Sequence, residues 1–512
     1  MNARRIVIAL IALVMTSTNV RAEEAVIDGI FYYLFIENKT AWVTAYPGAT
    51  YQGDIVIPES VIYDGIGYSV SRINDYAFSG SNWMTSIEIP TSVSSIGNMA
   101  FDGCSNLASV TIPSSVVSIG ADAFRRTSWL NNQPDGLVYA GKVAYQYKGV
   151  MPERTSIVLA EGTLGIASRA FYGCSALTSV TIPNSVATIG SFAFEGTAWL
   201  NNQPEGLVYA GKVAYQYKGT MPAETAIVLE EGTLGIAGSA FSRCSSLTSI
   251  TIPNSVTTIG DQAFWYCSGL SSITLPNSVT AIYMSAFNGC SGLTSFTLPK
   301  SVTFIGLHVF DYCSGLTSIV FHTNVCNCFS GLTSIKEVFL GDEVTSIGDW
   351  AFYGCSGLTS VTIGNSVQAI GVGILSGCRN LTDVYCYAKT VPEASDYAFG
   401  EASLNATLHV PASAIDAYKA VYPWNSFGNI VALTSEEVGV TQPETAKLQI
   451  QHETGALTII GAPANTPIAV YDLSGRLITS AKAVEGVTRV EVPAEEKVVI
   501  VKVGERSVKV AR

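Results

Sequence analysis

A fixed period of 23 residues organises most of this 512-residue chain. From Cys244 to Gly306 the text C-S-x-L-x-S-x-T-[IL]-P-x-S-V-T-x-I recurs, and it begins at Cys244, Cys267 and Cys290. A period of this length is typical of a solenoid, in which one repeat forms one coil and cannot bury its apolar side chains alone. Stacked coils would share one continuous core, so the predicted fold class is a repeat solenoid.

Each repeat contains a short strand with alternating character. In one copy, Leu177, Val180 and Ile182 are spaced for the inward side, while Ser179 and Thr181 point the other way. These outward hydroxyls are candidate binding residues, although a solvated sheet face needs the same side chains. The corresponding candidates in later copies are Ser249, Thr251, Ser272, Thr274, Ser295 and Thr297, and near the end of the array Asp383 and Tyr385 replace Ser and Thr.

Two stretches of the array depart from the period but keep its phase. Ile119 to Ile166 is 47 residues, as is Ile189 to Ile236, and each distance is close to two coils. The extra text predicts hairpin coils near 127–160 and 197–230, the first turning at Ala140-Gly141. Alternation suggests that half of their aromatic residues are buried, and exposed ones would be binding anchors. The candidates are Tyr139, Tyr145, Tyr147, Tyr209, Tyr215 and Tyr217.

The repeated text I-G-x-x-A-F-x-x-C-S-x-L-T-S-[IV]-x-[IL]-P resembles the BspA-like, or Treponema-type, leucine-rich repeat family over roughly residues 66–387. That resemblance implies a curved solenoid with a parallel β-sheet on its concave side. It also implies a protein of the kind that is often exported to bacterial surfaces.

The flanking segments predict export and capping. Residues 1–22 have the charge and apolar pattern of a signal peptide, with cleavage between Ala22 and Glu23. Residues 23–65 are predicted to form an N-terminal β cap, residues 388–433 a C-terminal cap, and residues 434–445 a linker. No transmembrane span is predicted in the mature chain.

Residues 446–512 alternate apolar and polar positions between turn signals, which predicts a small all-β sandwich. The text V-Y-D-L-S-G-R-L-I at Val470–Ile478 resembles the C-terminal sorting domain of type IX secretion. The chain departs from that pattern at Glu496–Val499, where the family often has Gly-x-Tyr. An ordinary accessory β-domain is the alternative.

Composition and motifs argue against several functions. The net charge is −12 and no Lys/Arg cluster occurs, so nucleic acid is not a predicted partner. The four histidines lie in no catalytic motif, so neither an enzyme nor a cofactor is predicted. The best metal candidate, His322 with Cys326 and Cys328, offers three ligands where structural zinc takes four. The equally spaced cysteines favour a ladder of unbridged core thiols.

These observations predict an exported leucine-rich repeat protein of a Bacteroidetes-type bacterium, secreted or associated with the outer membrane at the cell surface. The leading hypothesis is adhesion to host or bacterial surface macromolecules, protein or glycan, through the solenoid surface. The alternative is a carbohydrate-binding or nutrient-capture module that uses the hairpin tyrosines.

Overall fold

The computed structural model describes residues 23–434 except 36–38, 47, 49 and 325–328, and beyond them the strands between 449 and 511. Contacts between Cα atoms divide the chain into two units with a boundary between Ala432 and Leu433. The predicted signal peptide and nearly all of the predicted linker lie outside the described residues.

The first strands form a sheet that continues into the array. Glu23–Ile27, Ile30–Phe35 and Thr40–Val43 are antiparallel neighbours, and Thr40–Val43 then pairs in parallel with Ile66–Ile73. Ser60–Tyr63 pairs with the same strand in the antiparallel sense. This sheet gives the first coil a partner strand, so its backbone N–H and C=O groups are paired.

Most coils of the array contribute one longer strand to a row of parallel strands, here called the long-strand ladder. Its backbone pairing is interrupted between Thr111 and Thr155, between Thr181 and Thr225 and between Ile273 and Ser295. Inward residues such as Leu177 and Ile319 are buried, because alternate side chains of a strand point to one face. The strands are Gln52–Val56, Trp83–Glu88, Ser109–Thr111, Thr155–Val158, Leu177–Thr181, Thr225–Val228, Leu247–Thr251, Ser272–Ile273, Ser295–Leu298, Ser318–Phe321, Glu337–Leu340, Ser360–Ile363, Asp383–Cys386, Thr407–Val410 and Asn429–Ala432.

A second strand of each coil, usually of two residues, builds the short-strand ladder, which is also parallel. Its strands are Ile66–Ile73, Ser95–Ile96, Ser118–Ile119, Val143–Lys148, Gly165–Ile166, Thr188–Ile189, Val213–Lys218, Gly235–Ile236, Thr258–Ile259, Ala281–Ile282, Phe304–Ile305, Ser346–Ile347, Ala369–Ile370 and Glu393–Ala394. Two parallel ladders around a shared apolar interior confirm the predicted solenoid.

The Ala-Phe pair of each repeat lies in a third segment of the coil, here called the turn edge. Its phenylalanines are buried and stack along the array: the Phe264 and Phe287 ring centroids are 5.2 Å apart, and those of Phe287 and Phe310 are 5.8 Å apart. The thiol of Cys290 donates to the carbonyl oxygen of Phe264 at 3.1 Å. The nine described cysteines are unbridged, and such bonds explain why a small polarisable residue suits this corner of the coil.

The two enlarged coils contain antiparallel hairpins, Gly136–Ala140 with Val143–Lys148 and Gly206–Ala210 with Val213–Lys218. A short helix precedes each of them, Ser128–Asn131 and Ala198–Asn201. The first turn lies at Gly141 and Lys142, one residue later than the predicted Ala140-Gly141 turn, because Ala140 pairs with Val143. The second hairpin strand pairs in parallel with Gly165–Ile166, so it occupies a position in the short-strand ladder.

Strands of the short-strand ladder that are not neighbours touch at each hairpin coil. The hydroxyl of Thr188 donates to the carbonyl oxygen of Val117, and that of Thr258 donates to Ala187 at 3.3 Å. Gly165 lies between the first pair, and a Cβ there would collide with the Val117 oxygen. The array therefore bends with the short-strand ladder on the inside, and a residue without a side chain permits the close approach.

The last strand of the array is Asn429–Ala432, which pairs in parallel with Thr407–Val410. Helices Ala402–Asn405 and Ile415–Ala420 and the 3₁₀ turn Trp424–Ser426 precede it in sequence. Trp424 is fully buried, and its indole N–H donates to the carbonyl oxygen of Pro392 at 2.8 Å. These residues cover the core at the end of the array.

The C-terminal unit is all β. One antiparallel sheet has three strands and the other has four, and buried Leu457, Ile459, Val470, Val490 and Val501 belong to one core cluster. The strands are Gln449–Glu453, Ala456–Ile460, Pro467–Tyr471, Leu477–Lys482, Val487–Glu491, Val498–Val503 and Arg506–Ala511.

Candidate binding surfaces

The predicted hydroxyl columns lie on the outward face of the long-strand ladder. The pairing register places Ser249 beside Ser272, and the hydroxyl oxygens of Ser156 and Ser179 are 2.5 Å apart. The exposed candidates are Ser179, Thr181, Thr251, Ser272, Thr274 and Ser295, and Ser249 and Thr297 are half-buried. In this stretch the face offers mainly hydroxyl donors and acceptors to a partner, and Glu337, in register with Ser318 and Ser360, adds an exposed carboxylate further along.

The outward face changes chemistry near the end of the array. Asp383 pairs in register with Thr407, and Tyr385 pairs with His409. The Nε2 atom of His409 lies 2.9 Å from Oδ1 of Asp383, and its ring stacks on Tyr385 with centroids 4.4 Å apart. The structure thus adds His409 to the two predicted residues. Sequence reasoning placed this histidine outside the array, because the repeat text is lost before it.

The hairpin tyrosines are mainly structural. Tyr145 and Tyr215 are 2% and 1% exposed, and their hydroxyls accept from the backbone N–H groups of Phe124 and Phe194, each at 2.9 Å. Burial raises the pKa of both phenols well above the ordinary value. The prediction that they belong to a binding surface is therefore wrong: both faces of their strands are covered by neighbouring coils.

The remaining hairpin tyrosines are half-buried. The hydroxyl of Tyr139 accepts from Ala160 N–H at 2.9 Å, and that of Tyr209 accepts from Glu230 N–H at 2.8 Å. Tyr147 and Tyr217 pack their rings against the core. These side chains connect the hairpins to the following coil. Little of each ring surface is therefore accessible to a ligand.

Exposed aromatic side chains occur instead on the turn edge, which the sequence analysis did not single out. Tyr266, Tyr312, Tyr353 and Tyr397 are 44%, 72%, 48% and 74% exposed, and together they are here called the aromatic row. The sequence signal is an aromatic residue within two positions of the Ala-Phe pair or its Val-Phe equivalent. It was missed because the repeat consensus treats those positions as variable.

A small cavity lies where the N-terminal sheet meets a later coil. The Arg72 guanidinium is 5.5 Å from the Trp42 ring centroid and 5.7 Å from that of Phe304. Burial raises the pKa of nearby Asp261, while the positive charge of Arg72 acts in the opposite direction. The cavity volume is about 220 Å³, smaller than the roughly 300–1,000 Å³ usual for small-molecule sites. We therefore assign these residues to the contact between cap and array.

The repeat also matches a known family. The sequence model of the family described as BspA type leucine rich repeat region (6 copies) matches residues 71–146, 143–204, 214–327 and 325–423. The chain belongs to this family. The BspA-type match extends beyond residue 387 into the predicted C-terminal cap, where the parallel strand Thr407–Val410 continues the long-strand ladder.

Several solved structures resemble this BspA-type chain. A leucine-rich repeat protein from Bacteroides ovatus is 25% identical, with 80% of this chain and 100% of that one covered and a TM-score of 0.35. A leucine rich cell surface protein from Faecalibacterium prausnitzii is 25% identical, with coverage of 73% and 94% and a TM-score of 0.26. The pneumococcal vaccine antigen PcpA is 16% identical, with coverage of 81% and 99% and a TM-score of 0.27. No curated protein matches the chain.

Two more histidines of this BspA-type chain each pair with one carboxylate side chain. His308 Nδ1 lies 2.8 Å from Asp311, whose hydrogen bond raises the pKa of the imidazole. His322 Nδ1 lies 3.1 Å from Glu343 and lowers the pKa of that carboxyl. Cys326 and Cys328 lie outside the described residues.

Among the described residues, neither a metal site nor a membrane-spanning helix is found. Within that part of the chain, no three His, Cys, Asp or Glu side chains are grouped so that they could hold a metal ion. Likewise, none of its helices has the length and apolar character needed to cross a bilayer.

Proposed function

We propose that this BspA-type protein is exported to the bacterial surface and binds host or bacterial surface proteins through its solenoid. The observation that carries the proposal is the outward face of the long-strand ladder, whose hydroxyls extend along the array. A long row of parallel strands gives a large surface for binding, which is the use that repeat proteins make of this architecture.

The group of Asp383, Tyr385 and His409 is the proposed anchor of that surface. An aromatic ring, an imidazole and a carboxylate lie within one cluster, whereas the rest of the face carries mainly hydroxyls. Aromatic residues supply much of the energy of protein interfaces, and hydroxyl-rich surroundings add complementarity at lower energy.

The test is capture of purified matrix proteins, mucin and bacterial surface proteins on the immobilised mature chain. We expect at least one partner to bind, and we expect Tyr385→Ala with His409→Ala to weaken its retention about tenfold. The matched control is Ser179→Ala with Thr181→Ala at the other end of the face, for which a loss of less than about threefold is expected. A panel in which no partner binds would refute the proposal.

We also propose that residues 446–512 direct the protein across the outer membrane, as the likeness of Val470–Ile478 to the type IX sorting domain suggests. The strands Pro467–Tyr471 and Leu477–Lys482 form an antiparallel hairpin around this text. Deleting residues 446–512 should leave the protein in the periplasm of the native host. Normal surface display after the deletion would remove the sorting role without affecting the binding proposal.

A further inference from the structure

The aromatic row follows a two-coil rhythm. Tyr266 lies two residues after Phe264, and Tyr312 lies two residues after Phe310, while the coil between them carries Gly289 at that position. Tyr266 N–H donates to Asn288 and Gly289 N–H donates to Asp311, each at 2.7 Å, so these coils are held in register. The next coil has Ser330 and Gly331, and Tyr353 follows on the coil after that.

The rhythm continues to the end of the array. The coil after Tyr353 carries Ser376 and Gly377 at the turn edge, and Tyr397 lies on the following one. Gly373 N–H donates to the carbonyl oxygen of Tyr397 at 3.0 Å, which fixes that coil as the next neighbour. Exposed rings therefore recur on alternate coils, although Tyr353 follows Phe352 by one residue and Tyr397 precedes Phe399 by two. Only Tyr266 and Tyr312 share one position of the turn, and two strand spacings separate their coils by about 10 Å.

The backbone at two of these positions is held in a conformation that suits glycine. Tyr266 and Tyr312 have φ of 55° and 60°, in the left-handed region that disfavours a large side chain. Gly289, between them, has φ of 76°. Glycine is the favourable residue at all three positions, so it can replace either tyrosine without disturbing the turn. Arg126 and Arg243 have φ of 60° and 62° at the same position of earlier coils, so the conformation is a property of the turn.

Neighbouring side chains complete the surface. Trp265 packs edge-on against Tyr266 with centroids 4.6 Å apart, and Trp350 packs in the same way against Tyr353 at 5.3 Å. The His308–Asp311 pair lies on the same coil as Tyr312, so a donor and an acceptor adjoin that ring. The net charge of −12 disfavours an anionic ligand at this surface.

We propose that Tyr266 and Tyr312 of the aromatic row bind a neutral, linear, β-1,4-linked glycan. In such a ribbon every second sugar presents the same face, so rings on alternate coils can each stack against one pyranose. The axial C–H groups of the sugar carry partial positive charge and meet the negative face of the aromatic ring. Asp311 and His308 can hydrogen-bond to the equatorial hydroxyls. This binding is separate from the protein-binding face on the long-strand ladder.

The experiment measures the affinity of the mature chain for cellohexaose and chitohexaose by isothermal titration calorimetry, with the α-linked maltohexaose as control glycan. The variant is Tyr266→Gly with Tyr312→Gly, which installs the residue that neighbouring coils already use and so retains the fold. We expect a β-linked hexaose to bind, maltohexaose not to bind, and the variant to bind about tenfold more weakly.

The matched control variant is Tyr172→Ala. Tyr172 is also exposed on the turn edge, at 57%, but it lies outside the alternating run. Its affinity for the hexaose should stay within about twofold of the unmodified protein. Absence of binding to both β-linked hexaoses, or equal loss in both variants, would overturn the proposal. Loss of a protein partner by the double glycine variant, without glycan binding by the unmodified chain, would assign the row to protein contact and overturn it as well.

Discussion

The two hairpin coils form a matched pair within one chain. Trp129–Gly149 and Trp199–Gly219 differ at one position, Asp135 against Glu205. The polar contacts repeat as well: Thr127 accepts from Leu130 N–H at 3.1 Å, and Thr197 accepts from Leu200 N–H at 3.1 Å. The same residues thus make the same bonds twice.

The surroundings of the two copies differ. Beside the first, Asp102 accepts hydrogen bonds from Arg125 and Arg126, with closest distances of 2.8 and 2.6 Å. The corresponding residues beside the second are Tyr172, Glu195 and Gly196, which cannot form such a cluster. Since the two hairpins are alike in spite of this, the conformation of a hairpin coil is determined by its own residues. The cluster adds stability to one copy.

Removal of the buried tyrosine ring should have the largest effect, and the same effect in both copies. Tyr145→Ala and Tyr215→Ala each leave a cavity and a backbone N–H without its acceptor, so we expect losses of about 3–5 kcal/mol in the free energy of unfolding. Urea denaturation checks this. The Phe variants keep the ring and should lose about 1 kcal/mol. A difference of several kcal/mol between the copies would show that the surroundings shape the coil.

Loss of the helix cap should have a smaller, equally matched effect. Thr127→Val and Thr197→Val keep the side-chain shape but remove the acceptor for the N–H of Leu130 or Leu200. We expect each to cost about 1–2 kcal/mol. Hydrogen exchange of the amides in each helix measures the local opening, and the corresponding serine variant, which retains the acceptor, should exchange almost as slowly as the unmodified coil.

Acid should destabilise the first copy more than the second. Hydrogen bonding from Arg125 holds the pKa of Asp102 at about 2, below its ordinary value near 3.9. The stability from this carboxylate is therefore complete above about pH 4 and is lost as the pH falls towards 2. We expect a loss of about 1 kcal/mol around the first copy, since both arginines are well exposed. In hydrogen-exchange measurements, Asp102→Asn should abolish the difference in acid sensitivity between the two copies.

The smallest effect should come from the single residue that differs between the copies. Asp135 and Glu205 are both exposed beside a glycine that ends the hairpin. Exchanging them, Asp135→Glu or Glu205→Asp, should change the free energy of unfolding by less than about 0.5 kcal/mol. A larger change in thermal denaturation would show that this residue adapts each coil to its surroundings.

The sequence predicted the solenoid, the hairpin coils and the all-β terminal unit, because periodicity and turn residues are local signals. It could not predict which tyrosines are buried. Alternation assigns alternate residues to opposite faces, but Val143, Ala144 and Tyr145 are all buried because neighbouring coils cover both faces of their strand. A bulge between Val138 and Tyr139 also shifts the pairing.

The sequence also could not predict the contacts between distant coils. The contact of Arg72 with the rings of Trp42 and Phe304 joins residues more than 200 positions apart. Gly165 and Gly235 permit the close approach of strands that are not neighbours, and their role also depends on the three-dimensional arrangement of the coils. The tyrosines of the turn edge can be identified in the sequence. However, their placement on alternate coils can be recognised only when the register of the coils is known.

The bond from Thr188 to Val117 has a genetic consequence. It spans 71 residues, as does the bond from Thr258 to Ala187. The two hairpin coils belong to consecutive blocks of 70 residues, as the spacing of Trp129 and Trp199 shows. In both bonds the donor therefore meets an acceptor one residue earlier in the preceding block. Unequal recombination that copies such a block therefore adds a coil whose bonds to its predecessor are already encoded, and a reading frame can lengthen without new mutations at the junction.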